Sequence, residues 1–303
     1  MASFETPGPV ALEIHNACGV VEVTGEARST TEVTVEALHP EAEERAQAAR
    51  VELKPGDAGG FRVLIEVPRT RGWDGMHAEV AVRVRAPEGV ALRAATASGD
   101  VHTEGLVGPV GIDTASGDIW IQDAGGDAVI TTASGDINIR RVTGSLRAHT
   151  ASGACHVDEV GGALELESAS GDQRVKLVQG AARLQGASAD ITVGEARDGL
   201  DARTASGDIT VHQAAGVVRL RAQSGDVEVR RIAEGRLSAS SASGDVSIGV
   251  ARGSRVRVDL DSRSGRVLSQ IPIHEAPDGD HEGGLVELDV RTASGDIRVG
   301  GVA

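Results

Sequence analysis

The sequence is short of aromatic residues, lysine and long apolar runs. Only Phe4, Phe61, Trp73 and Trp120 are aromatic among 303 residues, and tyrosine is absent. Enzymes of this size usually line their core and pocket with aromatic side chains, so the composition disfavours a conventional catalytic domain. No segment approaches the roughly 18 consecutive apolar residues that a membrane-spanning helix needs, which predicts no membrane insertion.

Basic residues and cysteines are also scarce. The chain has 30 basic against 45 acidic residues, a net charge of −15. Because a phosphate backbone would be repelled by this charge, we exclude nucleic acid as a partner. The two cysteines, Cys18 and Cys155, cannot form a disulfide framework, and the first residues have neither the basic nor the apolar segment of a signal peptide. These features predict a cytoplasmic protein.

Glycine, in contrast, is abundant, with 40 residues arranged in a repeat. The phrase Thr-Ala-Ser-Gly-Asp-Ile, or a close variant, begins at Thr96, Thr114, Thr132, Thr150, Ser168, Thr204 and Thr292, with looser copies around Ser188, Ser224, Ser241 and Ser264. The spacing is 18 residues from Gly99 to Gly225, with Ala189 in one glycine slot. A second column, which includes Gly108 and Gly126, lies halfway between. Each period therefore contains two turns.

Short runs between these turns alternate apolar and polar residues, as in Ile119/Ile121 and Val110/Ile112. Such alternation is typical of half-buried strands, and glycine supplies corners with positive φ. Strands this short bury a core only when copies stack. The pattern predicts an all-β fold, a parallel β-solenoid (single-stranded β-helix) of about 18 residues per coil. Its predicted structural corners are Ser116, Gly117, Ser134, Gly135, Ser206 and Gly207.

The repeated threonine has the same parity as the apolar positions. In Leu146–Thr150, for example, Leu146, Ala148 and Thr150 point to one side of the predicted strand. We therefore expect the threonine column inside the solenoid or at its corner, with hydroxyl groups that form ladders from coil to coil.

The first 95 residues differ from the repeat. Residues 15–23 are similar to one degenerate coil, and strands are predicted at Glu32–Ala37, Phe61–Val67 and Ala78–Arg85, with a short helix at Pro40–Arg50. We predict an N-terminal β module at residues 1–95 that caps the solenoid. The solenoid then occupies residues 96–303, with a loop insertion at 269–284.

The Ala-Ser-Gly-Asp-Ile repeats, the opening Asn-Ala-Cys-Gly-Val-Val-Glu-Val and the interrupted last coil resemble a bacterial putative-adhesin family. That family is a β-strand-repeat domain of unknown biochemical function. The resemblance spans nearly the whole chain and implies the solenoid fold. It implies no catalytic residues, because the family defines none.

A column of aspartates is the strongest candidate site. Its members considered as calcium ligands are Asp118, Asp136, Asp172, Asp190, Asp208 and Asp226. Clustered carboxylates favour Ca²⁺, although calcium β-rolls carry aspartate in both halves of each coil and this chain has it in one. The simpler interpretation is an Asx-type corner, in which each carboxylate accepts turn N–H groups. Acidic residues and histidines at 274–282 could also bind a metal, but we favour a solvated loop as the interpretation of this segment.

From these features we predict a non-catalytic structural or interaction scaffold that binds a protein partner or itself, with no cofactor. A Ca²⁺-stabilised repeat protein is the alternative, and a β-helix enzyme acting on polysaccharides is the third possibility. The chain ends directly after the Ile297/Val299 strand. Because an uncapped strand edge recruits another strand, we predict weak self-association through the C-terminal coil, regulated by residues 270–283.

Overall fold

The computed structural model describes residues 1–56, 59–68, 78–271 and 284–302. Within this part of the chain nearly all regular structure is β-strand. The chain forms two compact units, Met1–Glu159 and Val160–Ala303. No helix in the described ranges has the length and apolar character needed to cross a membrane.

The first unit begins with strands of uneven length and continues with short, regular ones. Its strands are β1 Ala2–Glu5, β2 Val10–Glu26, β3 Thr30–Ala37, β4 Arg50–Pro55, β5 Phe61–Val67, β6 Val80–Pro87, β7 Val90–Ser116, β8 Ile119–Ala124, β9 Ala128–Ser134, β10 Ile137–Val142, β11 Leu146–Ser152 and β12 Cys155–Val160. A 3₁₀ turn at Pro40–Ala42 leads into the short helix α1, Glu43–Gln47, close to the predicted helix.

The regular structure described in the second unit, over residues 160–271 and 284–302, consists of strands. They are β13 Leu164–Ser170, β14 Gln173–Val178, β15 Ala182–Ser188, β16 Ile191–Ala196, β17 Leu200–Ser206, β18 Ile209–Ala214, β19 Val217–Ser224, β20 Val227–Ile232, β21 Gly235–Ser243, β22 Val246–Ala251, β23 Arg255–Ser262, β24 Val267–Ser269, β25 Leu285–Ser294 and β26 Ile297–Val302.

Each unit is built of coils with two strands per coil, stacked in parallel. Ile119 of β8 lies beside Ile137 of β10, and Leu200 of β17 lies beside Val218 of β19, each pair 18 residues apart. The predicted solenoid with 18 residues per coil is thereby confirmed. Alternate apolar residues point inward, as with Ile119, which is fully buried. The hydrophobic burial of these columns is the main stabilising term of the fold.

The threonine column also lies inside, as its parity predicts, with Thr132 and Thr204 buried. The expected ladder of hydroxyl groups forms between Thr96 and Thr114 but does not continue at Thr204 and Thr292. The Thr96 hydroxyl donates to Thr114 Oγ1 at 2.7 Å, but Thr204 donates to the backbone carbonyl of Ala189 at 3.0 Å, and Thr292 to that of Gly244 at 3.2 Å. A corner carbonyl of the neighbouring coil lies within reach and accepts the bond instead.

The first coils do not follow chain order. Strand β2 forms a complete coil that pairs with β7 on one side, where His15 lies beside Ala95, and this confirms the degenerate coil predicted at residues 15–23. On its other side β2 pairs with β5 and β6, which form a coil farther out. Antiparallel strands cover that outer coil, β4 against β5 and β3 against β6, with β1 against β3. Strand β7 continues without a break through residue 95, the predicted domain boundary.

The last coils are also out of chain order. Strand β25 lies between β21 and β23, and β26 lies between β22 and β24. The final strand therefore has a partner on both sides over Ile297–Val299, and the expectation that its edge is open is wrong. The outermost coil is β23 with β24. Burial explains this order, because Ser269 of β24 occupies the inward position that Val299 fills in β26, so the more apolar coil lies inside.

Residues 272–283 lie outside the described part of the chain. This range contains most of the predicted loop insertion at 269–284, most of the proposed regulatory segment at 270–283, and the whole acidic and histidine cluster at 274–282. Those predictions therefore remain predictions.

Candidate functional site

The repeated corner brings successive aspartates into a ladder. In the first unit, the carboxylate of Asp118 accepts a hydrogen bond from the backbone N–H of Asp136 at 2.9 Å. The N–H of Asp118 in turn donates to Asp100 at 2.9 Å, and the N–H of Ala154 donates to Asp136 at 2.8 Å. Each carboxylate thus supplies one oxygen, Oδ1, to the next coil.

The second unit repeats this geometry along its own coils. The carboxylate of Asp190 accepts from the N–H of Asp208 at 2.9 Å, and that of Asp208 accepts from Asp226 at 2.8 Å. The last carboxylate, Asp296, accepts from the N–H of Arg266 at 2.9 Å. Arg266 stands in the aspartate position on the outermost coil, β23/β24, where no further coil of the described chain needs an acceptor.

Glycine is favoured at these corners for two reasons, although Ala189 occupies one of them. Gly117 and Gly135 have φ values of 144° and 145°, in the region that disfavours side chains. A Cβ on Gly135 would also overlap the carbonyl oxygen of Gly117 in the neighbouring coil. The predicted corner residues thus lie where the chain turns between strands, and Ser116, Ser134 and Ser206 are exposed there.

Arginine balances part of the aspartate column. Arg298 donates to Oδ2 of Asp245 at 3.1 Å and to Oδ2 of Asp296 at 3.2 Å, and Arg174 donates to Asp172 at 2.8 Å. The backbone N–H of Asp296, with a smaller contribution from Arg298, lowers the pKa of the Asp245 carboxyl below its usual value. Hydrogen bonds to the charged form therefore offset the repulsion between stacked carboxylates.

This geometry bears on the calcium hypothesis without testing it directly. Oδ1 of Asp118, Asp136, Asp190, Asp208 and Asp226 already accepts an N–H from the adjacent coil. In the described ranges no group of three or more His, Cys, Asp or Glu side chains is arranged to hold a metal ion. The arrangement matches the simpler interpretation, in which the aspartates tie backbone groups together. It differs from an Asx-type corner because the donor belongs to the next coil.

One aromatic side chain stands on the outward face of the first unit. Trp120 of β8 is 54% exposed, and its ring stacks on His102 of β7 with centroids 6.3 Å apart and an interplanar angle of 19°. Asn138 of β10 lies beside it on the other side. A tryptophan held by a stacked neighbour offers a large, pre-ordered contact surface.

Cys155, in contrast, is a core residue, as the repeat predicts. It is buried, and burial raises the pKa of its thiol to about 12. The thiol stays protonated at neutral pH and is therefore a poor nucleophile.

The outermost coil of the second unit exposes its core columns. Val258 of β23 lies beside Leu288 of β25 in the same inward column, yet Val258 is 42% exposed and Leu288 is 3% exposed. Val267 of β24, beside the fully buried Ile297, is likewise exposed. Sequence reasoning missed this surface because it took the last strand in the sequence to be the last strand in space. The signal was present in the alternation at residues 255–261.

Solved structures with weak similarity to this chain include two bacterial proteins. Among curated proteins no match was found. A putative cell adhesion protein from Clostridium sporogenes is 8% identical over 98% of this chain and 94% of that one, with a TM-score of 0.21. A putative adhesin from Bacteroides fragilis is 13% identical over 99% and 95%, with a TM-score of 0.36.

A family model gives the stronger result. The model of the Toastrack DUF4097 family, a domain of unknown function, matches residues 88–199 and again residues 164–300. These matches cover the repeats of both units and more than half of the chain. The chain belongs to the Toastrack DUF4097 family.

Proposed function

We propose that this protein is a non-catalytic scaffold that associates with itself through its outermost C-terminal coil, β23/β24. The exposed core column of β23 carries this proposal. Val258 has the inward position of a core residue, but in the described part of the chain it lacks the covering coil that every inner strand has. Exposed apolar surface joined to an unpaired strand edge favours association with another strand.

A concentration series in sedimentation velocity tests this proposal. We expect the wild-type protein to shift from monomer towards a larger species as its concentration rises. Val258→Lys should abolish the shift, because a charge on the inward face blocks a second strand. Val217→Lys is the matched control, since Val217 is 47% exposed but lies on β19, which has partners on both sides. A wild-type protein that remains a monomer at high concentration would refute the proposal.

A protein partner at the Trp120 face is a second candidate function. Tryptophan is enriched among residues that dominate binding energy, and stacking on His102 reduces the entropy lost when Trp120 is bound. Quantitative cross-linking in the native host should therefore identify a set of proteins that cross-link to the wild type but not to Trp120→Ala. Val129→Ala, which changes an exposed residue on β9, should keep those cross-links. Equal cross-linking by both variants would remove this candidate.

We also propose a cytoplasmic location. Cys18 and Cys155 are both free thiols, as is usual in a reducing compartment. Fractionation of the native host with an antibody against the protein tests this, and recovery in an extracellular or envelope fraction would contradict it.

A further inference from the structure

Strand β23 carries a self-complementary charge pattern. Its outward residues are Arg255 and Arg257 in the first half and Asp259 and Asp261 in the second, and all four are exposed. Val258 lies at the centre of this pattern. Arg257 and Asp259 are its immediate neighbours, and Arg255 and Asp261 lie at equal distances along the strand on either side. A strand that is basic in one half and acidic in the other complements a second copy running in the opposite direction.

We propose that two copies of this chain pair through antiparallel β23 strands about a two-fold axis at Val258. This register sets Arg257 opposite Asp259 of the second copy and Arg255 opposite its Asp261. By symmetry each ion pair forms twice. The inference rests on the self-association proposed above and adds its partner, direction and register.

The backbone of β23 is oriented for this register. The N–H of Arg255 donates to Gly284 at 3.1 Å and that of Arg263 to Thr292 at 3.2 Å, so the odd-numbered residues face β25. Peptide groups alternate sides along a strand, so the N–H and C=O groups of Val256, Val258 and Leu260 face away. In the described ranges no strand pairs with that edge.

An antiparallel pair centred on Val258 uses those free groups. Val258 would exchange both hydrogen bonds with Val258 of the second copy, and Val256 would do so with its Leu260. The charged residues then occupy the intervening, non-hydrogen-bonded positions, where opposite side chains approach most closely. The same contact covers the exposed apolar column of each copy with that of the other.

Neighbouring registers fail on charge. A two-fold axis at Val256 would set Arg255 opposite Arg257, and an axis at Leu260 would set Asp259 opposite Asp261. Like charges that lie directly opposite destabilise a strand pair. An axis at Arg257 or at Asp259 also uses the free even-numbered groups, but it sets Arg257 opposite Arg257 or Asp259 opposite Asp259, so these registers contain a like-charge contact that the Val258 register avoids. Arg291 of β25 lies 3.9 Å from Asp259 and 3.0 Å from Asp289. Because it belongs to the same copy in every register, it does not change which register is favoured.

Mixing two charge-reversal variants of the full chain tests the register. Arg257→Asp alone sets Asp opposite Asp, and Asp259→Arg alone sets Arg opposite Arg, so each variant should weaken self-association by about tenfold or more. Mixed in equal amounts, the two variants are complementary at every contact and should associate with each other. Arg219→Asp, an exposed arginine on the inner strand β19, is the control and should behave as wild type.

Sedimentation velocity on each variant and on the mixture separates the outcomes. A dimer in the wild type, monomers in both variants and a dimer in the mixture would support the proposal. A wild-type dimer that persists in both variants, or a mixture that stays monomeric, would overturn the register but leave self-association standing. A wild-type monomer at all concentrations would overturn both.

Discussion

The first coils and the last coils of this chain use the same out-and-back path but end differently. At the start, the chain forms β2, goes outward to β5 and β6, and returns to β7 on the inner side of β2. At the finish it leaves β22, forms the outer coil β23/β24, and returns to place β25 and β26 inside. Among the residues that the structure describes, only the first coils have a cover, because β3 and β4 run antiparallel over the outer coil.

The consequence is visible in the exposure of equivalent residues. Val63 of β5 lies in the outermost full coil of the first unit and is completely buried, whereas Val258 of β23 is 42% exposed. The covering strand β4 also carries Glu52, Lys54 and Pro55. Charged residues and proline protect an exposed strand edge from pairing with another strand. One terminus of the repeat is thus covered, whereas the described strands at the other leave an apolar column exposed.

Core truncations should show the largest difference. Val63→Ala and Val286→Ala, both at fully buried positions, should each lower the free energy of unfolding by about 2 kcal/mol because they remove buried methyl groups and leave a cavity. Val258→Ala should lower it by less than about 1 kcal/mol at low protein concentration, since much of that side chain is already in water. Urea unfolding followed by circular dichroism measures all three. Equal losses would mean that the outer coil is covered in solution.

How much of this contrast the sequence predicts depends on the part of the chain. The corner motif and the two-residue alternation predict the regular coils from β8 to β22, because each copy is local and complete. They do not predict the order of the last coils, since both outer candidates carry the same corner, Ser264-Gly265 and Ser294-Gly295. The choice depends on burial summed over a whole coil, where Ser269 competes with Val299.

The candidate site shows the same limit. The aspartate column is visible in the sequence, and its role as an acceptor for backbone N–H groups was one of two interpretations. That the donor belongs to the next coil, as when Asp136 donates to Asp118, depends on the register between coils. Strand β4 was missed because its pattern of Val51 and Leu53 among charged residues is that of a mostly exposed strand.

Removal of the charges on β4 should allow the covered terminus of the repeat to associate with a second copy, as we propose for β23. Glu52 and Lys54 form an exposed ion pair at 3.0 Å on β4. Replacement of both by threonine keeps the strand but removes the charges, so we expect new concentration-dependent association. Light scattering should detect it even when Val258→Lys blocks the β23 edge. An unchanged monomer in that combined variant would show that Pro55 and the strand geometry protect the edge without these charges.

The aspartate ladder should contribute less, and in inner coils only. Asp118→Ala leaves the N–H of Asp136 without its acceptor and should cost about 1 kcal/mol. Arg266→Ala, on the outermost coil, should cost less, because its side chain accepts no such bond.

If the ladder is structural and binds no calcium, the melting temperature of the wild type should be the same with Ca²⁺ and with a chelator. A calcium-dependent rise that disappears in Asp118→Ala plus Asp136→Ala would instead support the calcium alternative.

The smallest effect should be the pH dependence that comes from Asp245. The N–H of Asp296, helped by Arg298, lowers the pKa of this carboxyl from its usual value near 3.8. Since the pKa is lower in the folded than in the unfolded chain, the ionised carboxylate stabilises the fold above pH 3.8, and this contribution is lost as the pH falls through the folded pKa. Asp245→Asn keeps an acceptor oxygen but not the charge, so its stability should decline less steeply in acid.

Urea unfolding at stepped acidic pH measures how steeply the stability of each variant declines. Asp198→Asn, an exposed carboxylate outside the ladder, is the control. Parallel curves for wild type and Asp245→Asn would show that solvent screening at this 42% exposed side chain removes the advantage of the charge.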